Sequence, residues 1–345
     1  MNKIVLDNRT IGCNEPVLII AEIGVNHGGC LENALNLIDA AREACVDAVK
    51  LQSHLADEEV ILENSSQSNK YLEAYKRWKR FELSEYQHRI IKEYAEEKGL
   101  IFFSTAFSMA AVEMLNNIRV PLFKLGSGDI TDHQLIELIA SKGKPIIIST
   151  GMSTEKEIED TVNLIRKYNV PYAIMHCTSL YPCPYECIDL LVIKELRAKY
   201  NVPVGLSDHT PTIYTAVAST VLGVNIIEKH FTLSKRLYGP DHKVSLTPEE
   251  MKELVQGVRA VEKALKTFNK ANSTEIQEVR EMYLKGIVAR NDLTKGSTIR
   301  QEDLICKRGA KGIPANRIGD IVGKHVKRAI SKNSSIFPED IIGLE

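Results

Sequence analysis

Apolar and polar positions follow one rhythm over the first 266 residues of this 345-residue chain. Short runs rich in β-branched residues alternate with longer stretches in which apolar residues recur at helical spacing. The short runs lie at 17–21, 47–51, 100–103, 121–125, 145–148, 172–175, 202–206 and 224–227. The helical stretches include 31–43, 84–98, 154–167 and 248–266, and Ser84 and the pair Thr247-Pro248 are typical helix caps. Eight strand–helix units over about 250 residues predict an α/β protein built on a (β/α)8 TIM barrel.

The pattern differs at both ends of the chain. Residues 3–6 and 9–11 predict a short β-hairpin within 1–15 that plugs the bottom of the barrel, so the barrel domain is assigned to 1–266. Residues 267–284 begin with a polar, Asn- and Lys-rich stretch and are interpreted as a linker. Residues 285–345 carry short β-prone pieces and turns, which predict a small β-rich second domain.

Charge and composition limit the possible partners. The 44 Lys and Arg residues nearly balance the 45 Asp and Glu residues, so no overall field attracts nucleic acid or an anionic membrane. No apolar run reaches the length of about 18 residues that spans a bilayer, and the first ten residues lack the apolar core of a signal peptide. We therefore expect a cytoplasmic protein that acts on small molecules.

Polar residues follow every predicted barrel strand. In this fold the loops after the strands build the active site, so these residues are the candidates for chemistry. An unusually long segment between the second and third strands, 53–82, contains Trp78 and is interpreted as a lid or substrate loop. In chain order the strand-end residues are Glu22; Lys50 and Gln52; Ser104 and Thr105; Lys124 and Ser127; Ser149 and Thr150; His176; Ser207, Asp208 and His209; and Glu228 and His230.

Two of these residues indicate a metal site. His209 and His230 follow the last two predicted strands, which are neighbours in a barrel, and Asp208 and Glu228 lie beside them in sequence. Imidazole and carboxylate groups in this arrangement suit a divalent ion such as Mn²⁺, Zn²⁺ or Co²⁺. We expect Mn²⁺, with Mg²⁺ or Co²⁺ as alternatives.

Two lysines indicate an anion site. Lys50 and Lys124, together with nearby hydroxyl groups and the glycine-containing turn 124–128, predict a phosphate cradle. A barrel lysine could instead form a Schiff base with a carbonyl substrate, or simply pair with carboxylates at the rim. Glu22, directly after a buried strand, is a candidate general acid or base, and at that depth it should either have a perturbed pKa or be neutralised by a lysine.

Nine motifs in order make the chain resemble the bacterial sialic acid synthases. They are AEIGVNHGG (21–29), VKLQSH (49–54), FSTAFS (103–108), FKLGSGD (123–129), ISTGM (148–152), HCTSLYPCPYE (176–186), GLSDHT (205–210), IEKHFT (227–232) and GPDHK (239–243). CKRG (306–309) and IVGK (321–324) resemble the antifreeze-like SAF domain that follows the barrel in that family. The resemblance covers nearly the whole chain.

The resemblance implies a reaction. The family condenses phosphoenolpyruvate with the open-chain form of an N-acetylated amino sugar, cleaves the phosphoenol C–O bond and releases phosphate. It implies that His209 and His230 ligate the metal ion, that Glu22 handles the proton of the attacking water, and that the SAF domain reaches over the partner's barrel in a swapped homodimer.

The resemblance also implies binding roles. It assigns the phosphate and carboxylate of phosphoenolpyruvate to Lys50, Asn69, Thr105, Lys124, Ser127 and Ser149. It assigns the sugar or a metal-associated water to Gln52, Asp129, Tyr181, Glu228 and Asp241, and it implies that Arg308 of the SAF domain acts in the partner's site.

Two departures from the family pattern concern the acceptor sugar. Asp129 is shorter than the Glu common in this family, and residues 65–80 differ from the versions in plain N-acetylneuraminate synthases. N-acetylmannosamine is the expected acceptor, and a diacetamido sugar that leads to legionaminic acid is the alternative. A class I aldolase acting through Lys124 and a non-catalytic sugar- or phosphate-binding scaffold are the rivals from other classes.

Overall fold

The computed structural model describes residues 3–6, 9–62 and 68–344, without the side chains of residues 68 and 69. Eight parallel strands form a closed barrel in which the last strand pairs with the first, which confirms the predicted fold. The strands are β3 (Leu18–Gly24), β4 (Ala48–Ser53), β5 (Ile101–Ala106), β6 (Phe123–Leu125), β7 (Ile146–Ser149), β8 (Tyr172–Cys177), β9 (Val204–Ser207) and β10 (Ile226–His230).

Helices follow the strands and cover the barrel. They are α1 (Leu31–Glu43), α2 (Ala56–Glu59), α3 (Ser68–Phe81), α4 (Glu85–Glu97), α5 (Met109–Asn117), α6 (His133–Ser141), α7 (Glu155–Arg166), α8 (Val192–Tyr200), α9 (Tyr214–Val221) and α10 (Pro248–Ala264). The predicted caps are confirmed, since Ser84 and Thr247 each form a capping box that satisfies backbone amides at a helix start. The segment interpreted as a lid contains α2 and α3.

The lower half of the barrel interior is filled partly by the N-terminal hairpin. Strands β1 (Ile4–Leu6) and β2 (Arg9–Ile11) pair antiparallel, as predicted. Their buried side chains Ile4, Leu6 and Ile11 belong to one apolar cluster with interior residues of the barrel, such as Phe103. A larger cluster lies between the outer face of the strands and the helices. Apolar packing therefore supports the barrel from both faces, and the polar strand ends are left for chemistry.

The second compact unit begins at Thr267. The segment interpreted as a linker contains a helix, α11 (Thr274–Tyr283), because Ser273 caps its first turn. Strands β11 (Lys285–Ala289) and β12 (Leu304–Arg308) pair antiparallel, and one helical turn, α12 (Ile318–Ile321), follows. A separate apolar cluster that includes Ile287, Ile299 and Ile336 forms the core of this unit.

In the part of the chain that the structure describes, every helix is too short or too polar to cross a membrane.

Candidate active site

A cavity of about 410 Å³ opens at the carboxyl ends of the barrel strands. It lies where the fold places active sites, because the ends of parallel strands and their loops converge there. The structure brings twelve of the residues singled out from the sequence to its wall: Glu22, Lys50, Gln52, Thr105, Lys124, Ser127, Ser149, Tyr181, His209, Glu228, His230 and Asp241.

Three of the residues to which a catalytic, binding or metal-ligating role was assigned are not in this set. Asp129 lies outside the cavity lining, because the turn at Ser127–Asp129 directs one carboxylate oxygen toward Gly126, 2.6 Å from where a Cβ on that glycine would lie. Burial raises the pKa of Asp129 to about 7, and the nearby carboxylate of Glu59 adds to the shift. The side chain of Asn69 lies outside the described residues. Arg308 belongs to the second unit, where its exposed guanidinium lies over the ring of Tyr283, 5.2 Å from its centre.

Glu22 lies at the end of β3 and is held by two neighbours. The Lys50 ammonium is 2.9 Å from one carboxylate oxygen, and the Gln52 amide donates to the other at 3.0 Å. Burial raises the pKa of Glu22 from 4.5 to about 7 even though Lys50 opposes the shift. This carboxyl group can therefore exchange a proton near neutral pH, as a general acid or base requires.

Glu228 lies 3.8 Å from the same ammonium but has the opposite electrostatic character. Burial opposes its ionisation, yet the charges of Lys124 and Lys50 and the Ser207 hydroxyl, which donates at 3.0 Å, lower its pKa to about 2. The pKa values of these two buried carboxyl groups are shifted in opposite directions, so the two groups can have different roles. Glu22 can take or give a proton, and Glu228 stays charged.

The two lysines face a set of hydroxyl groups. Lys50 donates to Thr105 at 3.0 Å, and Lys124 donates to Ser149. For Lys50, burial alone would lower the pKa, but the carboxylates of Glu22 and Glu228 outweigh it and raise the pKa. For Lys124, burial lowers the pKa. Two cationic groups and several hydroxyls within one cavity can bind a small dianion.

A glycine allows the loops to close around this cradle. The backbone amide of Gly151 donates to the Ser127 hydroxyl at 3.0 Å. A Cβ on Gly151 would lie 2.3 Å from Ser179 Oγ and 2.9 Å from Ser127 Oγ and Cys177 Sγ. The loops after β6, β7 and β8 therefore approach one another only because this position lacks a side chain.

The two predicted histidines lie side by side, with ring centres 5.5 Å apart. The Thr178 carbonyl is 2.9 Å from His209 Nδ1, which fixes the proton on that nitrogen and leaves Nε2 as a free lone pair. Nδ1 of His230 is buried without a hydrogen-bond partner among the described residues and lies 3.8 Å from an Asp241 oxygen. Tyr181 packs over His209, with ring centres 4.1 Å apart.

These residues fit a divalent ion held by two imidazole nitrogens. In the described ranges of the chain, this site included, no three His, Cys, Asp or Glu side chains converge on one point. The remaining coordination positions of such an ion would therefore be left to substrate or water. Asp208, expected near the metal, instead faces the outer side of the barrel, where it is 3.4 Å from the ammonium of Lys229. That part of the sequence-based interpretation is wrong, because side chains alternate sides as the chain leaves β9.

An aromatic stack forms one wall of the cavity mouth. The ring of His54 lies between Trp78 of α3 and Phe107, with centre distances of 4.0 and 4.2 Å and an interplanar angle of 7° to each. The Glu59 carboxylate is 2.7 Å from His54 Nδ1. The segment interpreted as a lid is thereby attached to Phe107 in the loop after β5, and all three rings line the cavity.

Two residues in or next to the site, Cys177 and Lys229, were not singled out from the sequence. Cys177 ends β8 and lines the cavity with its thiol 3.9 Å from His209 Nδ1. Burial opposes ionisation of this thiol, but His209 and Lys124 outweigh it and lower the pKa. Lys229 lies in β10 between Glu228 and His230, outside the cavity lining, and was also not singled out. A lysine inside an otherwise buried strand was the available signal, since such a group needs a partner.

The fold and the cavity together define a class: a barrel enzyme whose substrate site combines a cationic cradle, two carboxyl groups and a pair of histidines. Comparison with known proteins gives the family. The NeuB family matches residues 37–270, and the SAF domain matches residues 285–342. The chain belongs to the NeuB family, which confirms the resemblance to sialic acid synthases, and it is an enzyme of the nonulosonic acid synthase type.

Relatives match over most of their length. The chain is 37% identical to the N,N'-diacetyllegionaminic acid synthase of Legionella pneumophila over 96% of both chains. It is 34% identical to the human N-acetylneuraminate-9-phosphate synthase, over 96% of this chain and 94% of the other. A crystal structure of N-acetylneuraminic acid synthetase from Leptospira borgpetersenii, solved with citrate, is 34% identical with a TM-score of 0.73 and covers 81% of this chain and 95% of that chain.

Proposed function

We propose that this enzyme condenses phosphoenolpyruvate with an open-chain N-acetylated amino sugar and water to give a nonulosonic acid and phosphate. The observation that carries the proposal is the convergence of Lys50, Lys124, Glu22 and the histidine pair on one cavity. The cationic cradle suits the phosphate and carboxylate of phosphoenolpyruvate, and the histidine side of the cavity is left for the sugar.

The binding of phosphoenolpyruvate is assigned to the cradle. Lys124 and Lys50 offset the charge of the phosphate and carboxylate, and the hydroxyls of Thr105, Ser127 and Ser149 supply neutral donors. The cradle and the histidine pair line the same cavity, so phosphoenolpyruvate bound in the cradle would hold its nucleophilic C3 atom close to the sugar aldehyde.

A divalent ion, Mn²⁺ by preference, would be held by His209 and His230. When bound, it supplies Lewis-acid polarisation of the sugar's aldehyde oxygen. Tyr181, Gln52, Asp241 and the charged Glu228 position the rest of the sugar.

Glu22 carries out the proton chemistry. As C3 of phosphoenolpyruvate forms its bond to the aldehyde carbon, positive charge develops at C2, and water adds there. Glu22 in its ionised form accepts one proton of that water, and this proton then passes to the former aldehyde oxygen, which becomes a hydroxyl group. As the C2–O bond to phosphate breaks, the C2 hydroxyl loses its proton to form the carbonyl, and the departing phosphate takes that proton. The products are one nonulosonic acid and one phosphate, so atoms and charge balance.

N-acetylmannosamine is the proposed acceptor, and 2,4-diacetamido-2,4,6-trideoxymannose is the second candidate. The 37% identity to a diacetyllegionaminic acid synthase over nearly the whole chain supports the second. The test measures phosphate release from phosphoenolpyruvate and Mn²⁺ with each sugar in parallel and identifies products by mass spectrometry. A preference for either sugar assigns the acceptor. Phosphate release that does not depend on any N-acetylated sugar would contradict the proposal.

We also propose a homodimer in which the second unit of one protomer completes the active site of the other through Arg308. The match of residues 285–342 to the SAF domain supports this arrangement. The exposed position of Arg308 at the end of β12 leaves its guanidinium available to an anionic ligand.

A further inference from the structure

Lys229 is a fully buried lysine on the outer side of the barrel wall. It lies in β10 between Glu228 and His230, which face the cavity, and only 1% of it is exposed. Its ammonium donates to the backbone carbonyls of Thr210 at 2.7 Å and Thr212 at 2.9 Å. Apolar side chains normally fill this layer between strands and helices, so a lysine here requires a specific reason.

Asp208 completes the arrangement. One of its oxygens is 3.4 Å from the Lys229 ammonium and accepts from the Thr215 hydroxyl at 2.6 Å. The other accepts from the backbone amide of Thr210 at 2.8 Å. The Lys229 ammonium and the Asp208 carboxylate therefore both have hydrogen-bond partners. A buried ion pair of this kind adds little stability over a well-packed apolar pair, so conformational specificity is the better explanation for its presence.

The segment held by this pair carries His209. From the cavity side the same residue is fixed by two further contacts: the Thr178 carbonyl accepts from His209 Nδ1 at 2.9 Å, and the Cys183 amide donates to the His209 carbonyl at 2.9 Å. Lys229 thus joins the strand that carries His230 to the loop that carries His209.

We propose that Lys229, with Asp208, is a positioning residue that sets the distance and angle between His209 and His230. The inference rests on the proposed function, because it assumes that these two histidines bind the ion. A site with only two protein ligands depends strongly on their relative placement, since no third side chain corrects an error.

The test measures Mn²⁺ binding directly, by electron paramagnetic resonance of the free ion, in the full-length enzyme without substrates. Lys229→Met keeps the length of the side chain and removes the charge. We expect about tenfold weaker Mn²⁺ binding, the lower end of what loss of a supporting contact to a metal ligand causes. Phosphoenolpyruvate affinity without metal, followed by intrinsic fluorescence, should stay within about twofold, because the lysine cradle does not contact this pair.

Two further variants make the result decisive. Lys235→Met is the matched control, since this partly exposed lysine of the loop after β10 pairs with Glu250 at 2.6 Å on the surface, and its Mn²⁺ affinity should not change. Thr215→Val removes one donor to Asp208 and disturbs the fold less, so it decides the question if Lys229→Met fails to fold, as judged by circular dichroism.

Each outcome has one meaning. If the wild type binds no Mn²⁺, the proposed metal site fails and the inference fails with it. If the wild type binds Mn²⁺ and folded Lys229→Met binds it equally well, the proposed function stands and the positioning role is refuted. If Lys229→Met does not fold, equal binding by Thr215→Val refutes the role instead. Weaker Mn²⁺ binding with unchanged phosphoenolpyruvate affinity supports the inference.

Discussion

Replacement of Glu22 by Gln tests the assigned proton chemistry most directly. The glutamine keeps the shape of the side chain and a hydrogen bond to its neighbours but cannot accept a proton. Loss of a general acid or base typically lowers the rate by about 10² to 10⁴. We therefore expect Glu22→Gln to release phosphate at least about 100-fold more slowly than the wild type at pH 8.

Because the pKa of Glu22 is raised, the loss of activity expected for Glu22→Gln depends on pH. With a pKa of about 7, only about a tenth of Glu22 is ionised at pH 6, and about nine tenths is ionised at pH 8. An ordinary glutamate with a pKa of 4.5 would be almost fully ionised at both. Because the ionised form is the base, the ratio of wild-type to Glu22→Gln activity should rise about tenfold from pH 6 to pH 8.

The free energy of unfolding should also change with pH as Glu22 loses its proton. The pKa of Glu22 in the folded state, about 7, lies above its ordinary value of 4.5. The stabilisation from protonated Glu22 is therefore complete below pH 4.5 and is lost as the pH rises through 7. Between these limits the unfolding free energy of the wild type should fall by about 3 kcal/mol relative to Glu22→Gln.

The assay is steady-state phosphate release from pH 5.5 to 8.5 with saturating sugar and Mn²⁺. The substrate phosphate also titrates, with a pKa of about 6, but this affects both enzymes and cancels in their ratio. A ratio that stays constant from pH 6 to 8, or a Glu22→Gln variant within tenfold of the wild type at pH 8, would refute the assignment of Glu22 as the base.

The remaining predictions concern the metal, the lysines, the dimer and the closing loops. His209→Ala should abolish the stimulation of phosphate release by added Mn²⁺ because one of two ligands is lost, and equal stimulation of variant and wild type would contradict the site. Borohydride added during turnover should leave the mass of the intact protein unchanged, because Lys124 binds an anion; a mass increase at that lysine would indicate an imine and an aldolase mechanism. Mixed dimers of His209→Ala and Arg308→Ala should regain part of the activity that each homodimer lacks, since one intact site is reassembled, and no recovery under demonstrated subunit exchange would refute action across the dimer. Gly151→Ala should lower kcat/KM for phosphoenolpyruvate about 100-fold, because the added methyl group would lie 2.3 Å from a serine hydroxyl and displace the cradle, whereas Gly319→Ala, whose methyl group meets nothing within 4 Å, should match the wild type.

Strand periodicity was sufficient to predict the barrel, because each buried strand of a parallel barrel is a continuous apolar run with a polar residue at its end. The residues at those ends, such as Lys50 and His209, then had to meet in one place once the barrel closed. Predicting the fold therefore also identified most of the residues that line the cavity.

Two kinds of feature could not be predicted from strand periodicity. The direction of a side chain just past a strand depends on the local turn, and for this reason Asp208 and Asp129 were expected in the cavity but lie elsewhere. Contacts between distant segments also have no local signature. The ring of His54, which follows β4, stacks on Phe107, which follows β5, and no periodicity indicates such a pairing.

The alternation along β10 has a consequence for the alignment of this strand. Glu228 and His230 point inward and Lys229 points outward. On the inner side Glu228 accepts from Ser207 and His230 lies beside His209, and on the outer side Lys229 donates to the Thr210 carbonyl. A slip of one residue relative to β9 would place the lysine among the cationic groups of the cavity and both the carboxylate and the imidazole in the apolar layer under the helices. Such misaligned states are strongly disfavoured by uncompensated charge. Transplanting the histidine pair into another barrel would therefore require the outward lysine and its acceptors as well as the residues that touch substrate.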